Sequence, residues 1–400
     1  MGHVIVVGGG QAGASCVAKL RQLGSTDEIT VIGAEAVPPY QRPPLSKSYL
    51  LGEMERERLF LRPEQYYADQ GITLLLGEAA SHIDRSAQTV TVGDRQLTYT
   101  TLVLATGSSA RRLPDSVGGG LSNVHVVRDL GDVDAMAPAC LPGKRALIVG
   151  GGYIGLEAAA VAAKVGMKVT LVEMADRILQ RVAAPETSDY FRAIHRANGV
   201  SIREGIGLSG LVGNRAVTGA NLTDGSHVEC DLVIVGIGIS PNVDLARQAG
   251  LTVDNGIATD VYGTTSDPNI YAAGDCASFP WQKGRMRLES VQNAIDQAET
   301  VAANIIGPRL PYVPKPWFWS DQYDIKLQIA GLNTGYDRVV VREGDGRSHW
   351  YYAGPTLLAV DAMNDPRAYM VGKRLIEANR SPDPAEIADG KSDLRAMLKA

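Results

Sequence analysis

The sequence predicts an α/β protein with two Rossmann-like dinucleotide-binding domains and a smaller C-terminal α+β domain. Two glycine-rich fingerprints and a late cluster of short strand-like runs predict it. Gly8-Gly9-Gly10-Gln11-Ala12-Gly13 follows the apolar run His3–Val7, and Gly150-Gly151-Gly152-Tyr153-Ile154-Gly155 follows Arg145–Val149. Both fit G-x-G-x-x-G at a strand-to-helix turn. Glycine is needed there because the chain turns tightly and a pyrophosphate must approach bare backbone. The helix N-terminus then turns its free N–H groups toward the phosphates. A single match is weak, but two in β-turn-α settings, each followed by an acid, imply two dinucleotides and electrons passed between them.

The first β-α-β unit reads His3–Val7, a helix from about Gly10 to Leu23, and Glu28–Ile32. The second reads Arg145–Val149, an alanine-rich helix from about Ile154 to Val165 suited to close packing on a sheet, and Lys168–Val172. Residues 115–142 carry glycine and proline punctuation and bridge the two. Strand signals return at Leu232–Val235 and Ile257–Ala258, and a helix signal runs from Ser290 to Ile306. Pro308, Pro311, Pro314 and Pro316 read as a domain boundary. Beyond it, Lys326–Ala330, Val339–Arg342, His349–Ala353 and Thr356–Val360 have strand character, followed by a closing helix over Ala368–Asn379. The last 20 residues are polar and are expected to be loosely held.

Bulk properties narrow the class. Four hundred residues suit two or three domains, and 45% hydrophobic with 21% charged residues is ordinary for a globular chain. A net charge of −5 gives no support to nucleic-acid binding. No apolar run is long enough for a membrane span, and the first strand begins at residue 3, so a cytoplasmic protein without a signal peptide is expected. The four cysteines, Cys16, Cys140, Cys230 and Cys276, form no C-x-x-C pair, so neither a local redox disulfide nor a metal knuckle is expected.

Particular residues carry the chemistry. Glu35 lies 22 residues after Gly13, where a carboxylate accepts hydrogen bonds from a ribose diol; otherwise it is a solvated loop acid. Glu173 lies 18 residues after Gly155 and would repel a 2′-phosphate. No Lys or Arg follows until Arg177, which favours NADH over NADPH. Leu104-Ala105-Thr106-Gly107 and Ile234–Gly238 are strands running into glycine, common features when alone. Tyr271-Ala272-Ala273-Gly274-Asp275 is sharper, since an Asp after a strand-ending Gly can bind a ribityl hydroxyl beside two fingerprints.

Together these motifs resemble the two-dinucleotide flavoprotein reductases of the glutathione-reductase-like fold. Tyr40–Lys47 (YQRPPLSK), Glu289–Ala294 (ESVQNA) and Pro316–Asp324 (PWFWSDQYD) narrow the resemblance to the oxygenase-coupled ferredoxin reductases, from Val4 to about Val371. The family implies an FAD domain from residues 1–112 and 243–310, an inserted NADH domain over 113–242, and a partner-docking α+β domain over 311–400. Gly118–Gly120 depart from it only in a linker that varies.

By motif, the resemblance implies that Ala12 and Glu35 face the adenosine end of FAD, with Ala80 a weaker positional match. Arg42, Lys47 and Arg128 would contact or approach FAD, with Lys47 close to the flavin ring. Asp275 would hold the ribityl chain, Val291 would lie at the pyrimidine end, and Trp319 would pack near the isoalloxazine. Ile154, Glu173 and Gly238 would line the NADH site, with Glu157 near the nicotinamide. Lys47 can also stabilise negative charge on a reduced ring, although a lone lysine is usually a surface residue. Trp317 and Trp319 are read as packing or interface residues, with an electron path as the other reading.

The activity implied is NADH:ferredoxin reduction, with FAD and NADH as cofactors, no metal, and a 2Fe–2S ferredoxin as partner. That ferredoxin would serve a haem-thiolate monooxygenase or Rieske-type oxygenase. The cysteines argue against the disulfide reductases and the NADH peroxidases, since residues 33–60 contain none. Rubredoxin reduction and an apoptosis-inducing-factor-like binding role stay open. Arg309, Lys315, Arg338, Arg342 and Arg347 are candidates for steering an acidic ferredoxin, or simply dispersed solvated charge.

Overall fold

The computed structural model describes residues 2–344 and 346–399. The chain divides into two compact units. One comprises Met1–Arg42, Glu55–Ser109 and Ile239–Pro316; the other comprises Pro43–Met54, Ala110–Gly238 and Trp317–Ala400.

In the first unit a parallel sheet runs in the order Ile270–Ala272, Thr101–Leu104, His3–Val7, Glu28–Gly33, Ile72–Leu76. Alternation along His3–Val7 decides what covers each face. Val4 and Val6 pack with Ala12, Cys16, Val17 and Leu20 of the helix Gln11–Gln22 and with Ala298, Val301 and Ala302 of Val291–Ile306. Ile5 and Val7 face the other way, toward Ile83, Val90 and Val92 of a three-stranded antiparallel sheet.

The second unit repeats the design. Its parallel sheet runs Ser201–Glu204, Lys168–Glu173, Arg145–Val149, Leu232–Val235, Val124–His125. Leu147 and Val149 pack toward Val217, Ala220, Leu222 and Val228 of its own antiparallel three-stranded sheet. Ala158, Ala159, Ala160 and Ala162 of Tyr153–Val165 are buried, as close packing on the sheet requires.

The same unit carries a five-stranded antiparallel sheet ordered Trp317–Gln322, Ile325–Gly331, Thr356–Met363, Arg347–Ala353, Arg338–Glu343. Four of these strands match the expected runs, extended by one to three residues at one or both ends. The fifth, Trp317–Gln322, is an aromatic-rich motif that the sequence reading did not place in a strand. The helix Pro366–Glu377 lies on this sheet so closely that a Cβ at Gly372 would meet Val360 at 2.6 Å.

The expectation of a loose C-terminus is overturned. Residues 381–399 include the helix Pro384–Ala388 and a 3-10 turn at Ala396–Leu398, and Ile387, Leu394 and Met397 are buried in the core. Sparse apolar residues at single positions suffice because two arginines bind the segment. Arg342, 5% exposed, donates to the carbonyls of Ile387, Asp389, Gly390 and Ser392 and to the Ser392 hydroxyl. Arg380 donates to the carbonyls of Met397 and Leu398. Arg342 is therefore removed from the cationic docking candidates.

No helix among the described residues is long and apolar enough to cross a membrane.

Candidate functional site

Both parallel sheets place the strand that enters the glycine-rich turn in the middle, His3–Val7 in one and Arg145–Val149 in the other, with strands added on either side. The chain reverses direction of growth beside His3–Val7 in one unit and beside Arg145–Val149 in the other. Ligands of open α/β sheets bind in the crevice beyond such a reversal, at the carboxyl ends of the strands.

In the first unit the register sets Val7 beside Leu104 and Leu104 beside Ala272. Gly8, Ala105-Thr106-Gly107 and Gly274-Asp275 therefore emerge at one sheet edge. A Cβ on Gly8 (φ 131°) would strike the Ala105 carbonyl at 2.0 Å, and one on Gly13 would strike the Gly8 carbonyl at 2.0 Å. A Cβ on Gly10 would meet nothing within 4 Å. The outer glycines are thus demanded by the fold. The middle one leaves a bare cradle at the helix N-terminus, into which a pyrophosphate fits.

The surrounding side chains suit a dinucleotide. Glu35 accepts from Tyr40 at 2.6 Å and from Arg42 at 2.5 Å, and the Arg42 guanidinium lies over the Tyr40 ring. Both residues come from the Tyr40–Lys47 motif, so its start and the ribose-position acid meet in space. Glu35 stays one-third exposed. Asp275 accepts from Ser108 at 2.8 Å, and Gly274 donates to Gln297 at 2.9 Å. Ala12 is buried where a Cβ on Gly274 would come within 3.0 Å of it. Val291 is the first residue of a helix capped by Ser290, and Ala80 starts an antiparallel strand. Ser108 and Gln297 escaped the sequence reading because neither belongs to a glycine motif.

The second unit reproduces the cradle. A Cβ on Gly150 (φ 106°) would strike the Gly236 carbonyl at 2.4 Å, and one on Gly155 the Gly150 carbonyl at 2.0 Å. Cβ atoms on Gly152 and Gly238 would meet nothing within 4 Å. Glu173 accepts from the backbone of Gly151 at 2.6 Å and of Ala175 at 2.8 Å, which fixes it against the glycine loop. Arg177 is held by Ser188 and the Ala183 carbonyl. Ile154, in the first turn of the helix Tyr153–Val165, and Met174 and Ile237, on the loops after Lys168–Glu173 and Leu232–Val235, are exposed apolar residues. Only Ile154 was foreseen; the signal for the other two is their position directly after Glu173 and Gly236.

Further along the same helix, Glu157 is 2% exposed. Its carboxylate accepts from Lys47 at 2.6 Å, Ser46 at 2.7 Å and Ser320 at 2.7 Å. Three segments separated by more than 100 residues thus converge on one buried charge, with a cation and two hydroxyls to compensate it. Trp319 is half-buried, with its ring 5.5 Å from that of Trp317. Arg128 precedes a helix capped reciprocally by Asp129 and Asp132, and its backbone N–H donates to Asp132. Lys47, Arg128 and Trp319 all belong to this second unit, whereas Glu35, Arg42 and Asp275 belong to the first. The four cysteines are free, and burial pushes the Cys16 thiol up to about 12, so it is not poised as a nucleophile.

Two pyrophosphate cradles on one chain define a two-dinucleotide oxidoreductase. The pyridine nucleotide-disulphide oxidoreductase family model matches residues 2–298, and the reductase C-terminal family model matches residues 317–398. The chain belongs to the pyridine nucleotide-disulphide oxidoreductase family, with the reductase C-terminal domain, and is an FAD-dependent oxidoreductase. A ferredoxin–NAD(P)+ reductase from a Sphingomonas species is 45% identical, covering 99% of this chain and 96% of its own length. Rhodocoxin reductase from Rhodococcus erythropolis is 41% identical, covering 99% and 94%. The crystal structure of the covalent putidaredoxin reductase–putidaredoxin complex contains a chain that superposes with a TM-score of 0.96 at 41% identity, covering 100% of this chain and 98% of its own.

Proposed function

We propose that this protein is an NADH-dependent ferredoxin reductase. It takes reducing equivalents from NADH and delivers them singly to a 2Fe–2S ferredoxin that serves an oxygenase. The paired cradles carry this reading: each fingerprint has two glycines jammed by the fold and one that opens on space. Bound FAD supplies hydride acceptance and one-electron release, chemistry that no side chain provides.

The chain's own residues bind and orient. In the first unit Gly10 and the helix it starts receive the FAD pyrophosphate, and Glu35, held by Tyr40 and Arg42, takes the ribose. Asp275 takes the ribityl hydroxyls, with Ala12, Ala80 and Val291 as flanking contacts. In the second unit Gly152, Ile154 and Gly238 line the NADH site, with Glu157 toward the nicotinamide. Glu173 selects NADH, since its fixed carboxylate repels a 2′-phosphate and Arg177 is already engaged. Lys47, Arg128 and Trp319 are assigned to the flavin by resemblance. The functional division proposed is FAD over 1–112 and 243–310, NADH over 113–242, and partner docking over 311–400. Free thiols, three of them buried, support a cytoplasmic location.

The test is an anaerobic titration of the FAD-loaded protein with NADH and, separately, NADPH, followed by mixing with 2Fe–2S ferredoxins and a rubredoxin. Flavin bleaching by NADH at least tenfold more efficient than by NADPH, then reoxidation by a ferredoxin within seconds, is the expected result. Reoxidation by rubredoxin alone, or by oxygen alone, would replace the ferredoxin assignment.

A further inference from the structure

The Glu157 carboxylate ends a longer chain of polar groups within the second unit. Ser320 donates to it at 2.7 Å, and Gln322 Nε2 donates to Ser320 Oγ at 3.1 Å. Gln322 Oε1 lies 2.9 Å from His195 Nε2. That oxygen can only accept, so the imidazole proton sits on Nε2. His195 Nδ1 is then an acceptor, and the Tyr323 hydroxyl lies 3.1 Å from it. Every donor in the series Tyr323, His195, Gln322, Ser320 therefore points toward Glu157.

His195, Gln322 and Ser320 are each 0% exposed. Burial also holds the His195 imidazole below its ordinary pKa, which keeps it in the neutral, singly protonated form the series needs. Tyr323 is held at φ 57°, a backbone that tyrosine seldom adopts. Packing alone would be served more cheaply by apolar side chains, because a buried polar series is costly unless complete. Aligned donors polarise one another, and a carboxylate at the end gives that alignment its direction.

We propose that Ser320, Gln322 and His195 are positioning residues that fix the Glu157 carboxylate at the nicotinamide end of the NADH site. The inference rests on the assignment of that site given above. No proton need travel along the series; its effect is orientation and charge compensation.

Binding of two ligands separates positioning from folding. NAD+ and ADP-ribose share the adenosine and pyrophosphate, and only NAD+ carries the nicotinamide. Their dissociation constants are measured calorimetrically on the FAD-loaded wild type, Ser320→Ala, His195→Phe and His195→Gln. We expect Ser320→Ala and His195→Phe to weaken NAD+ three- to tenfold while ADP-ribose is unchanged. His195→Gln, whose amide can still donate to Gln322, should recover most of the NAD+ affinity. Equal weakening of both ligands, or of neither, would overturn the proposal, and Ser320→Ala decides it should His195→Phe fail to fold. A wild type that binds neither ligand would instead remove the NADH-site assignment itself, and the proposal with it.

Discussion

The Lys47 ammonium lies 2.6 Å from the Glu157 carboxylate, 110 residues away in sequence. The two are unequally buried, at 19% and 2% side-chain exposure. Removing the cation strands a carboxylate that cannot reach water, whereas neutralising the carboxylate leaves a flexible lysine near solvent. Lys47→Met should therefore cost about 2 kcal/mol and Glu157→Gln only about half of that. Urea unfolding at fixed FAD concentration measures both. Equal costs would mean that the pair does not behave as a buried ion pair.

The glycines of each fingerprint divide into two kinds, and substitution should separate them. Gly13→Ala drives a methyl into the Gly8 carbonyl and should unfold the first unit. Gly10→Ala meets no protein atom, so the apoprotein should melt near the wild-type temperature while FAD affinity falls by more than tenfold. Gly152→Ala should leave FAD content intact and raise KM for NADH. Apoprotein calorimetry, flavin content and steady-state kinetics distinguish these outcomes. Normal FAD retention in Gly10→Ala would show that the pyrophosphate does not lie against that backbone.

The central strands of both parallel sheets and their fingerprint helices were legible because glycine spacing and apolar runs are local signals, whereas the edge strands Ile72–Leu76, Ser201–Glu204 and Val124–His125 were not. Leu232–Val235 and Ile257–Ala258 agree with the expected runs to the residue. What sequence could not supply was convergence from afar. Ser46 and Ser320 show nothing in their neighbourhoods that ties them to Glu157, yet both bond it. Arg342 failed for the opposite reason. A lone arginine in an alternating strand reads as solvent-facing charge, and only the folded C-terminal segment supplies the carbonyls that bury it.

That segment should depend on Arg342. Its guanidinium is bound entirely by carbonyls and one hydroxyl, charge-assisted bonds that a methionine cannot replace. Arg342→Met should cost about 3 kcal/mol or more and expose residues 381–399 to limited proteolysis before the remainder of the chain. Cleavage that begins elsewhere would show that burial of Ile387, Leu394 and Met397 holds the segment unaided.

A second buried carboxylate sets an internal pH balance. Asp361 is 1% exposed and accepts from Thr187 at 2.8 Å and from Tyr351. Burial raises its pKa from 3.8 to about 6. Thr187 also meets His349 Nδ1 at 2.7 Å, and Arg347 donates to His349 Nε2, so that imidazole is neutral; burial lowers its pKa from 6.5 to about 4. The signs oppose. As pH rises from 4 to 6, the unfolded aspartate has lost its proton while the folded one keeps it, so stability falls. Over the same window the unfolded histidine keeps a proton that the folded one lacks, so stability rises. Each amounts to about 3 kcal/mol, and in the wild type they nearly cancel. Asp361→Asn leaves the histidine unopposed, so its unfolding free energy should climb by about 3 kcal/mol relative to wild type between pH 4 and 6.5. Urea midpoints at half-unit pH intervals measure the difference. Parallel wild-type and Asp361→Asn profiles would mean that Asp361 is ionised in the folded protein throughout.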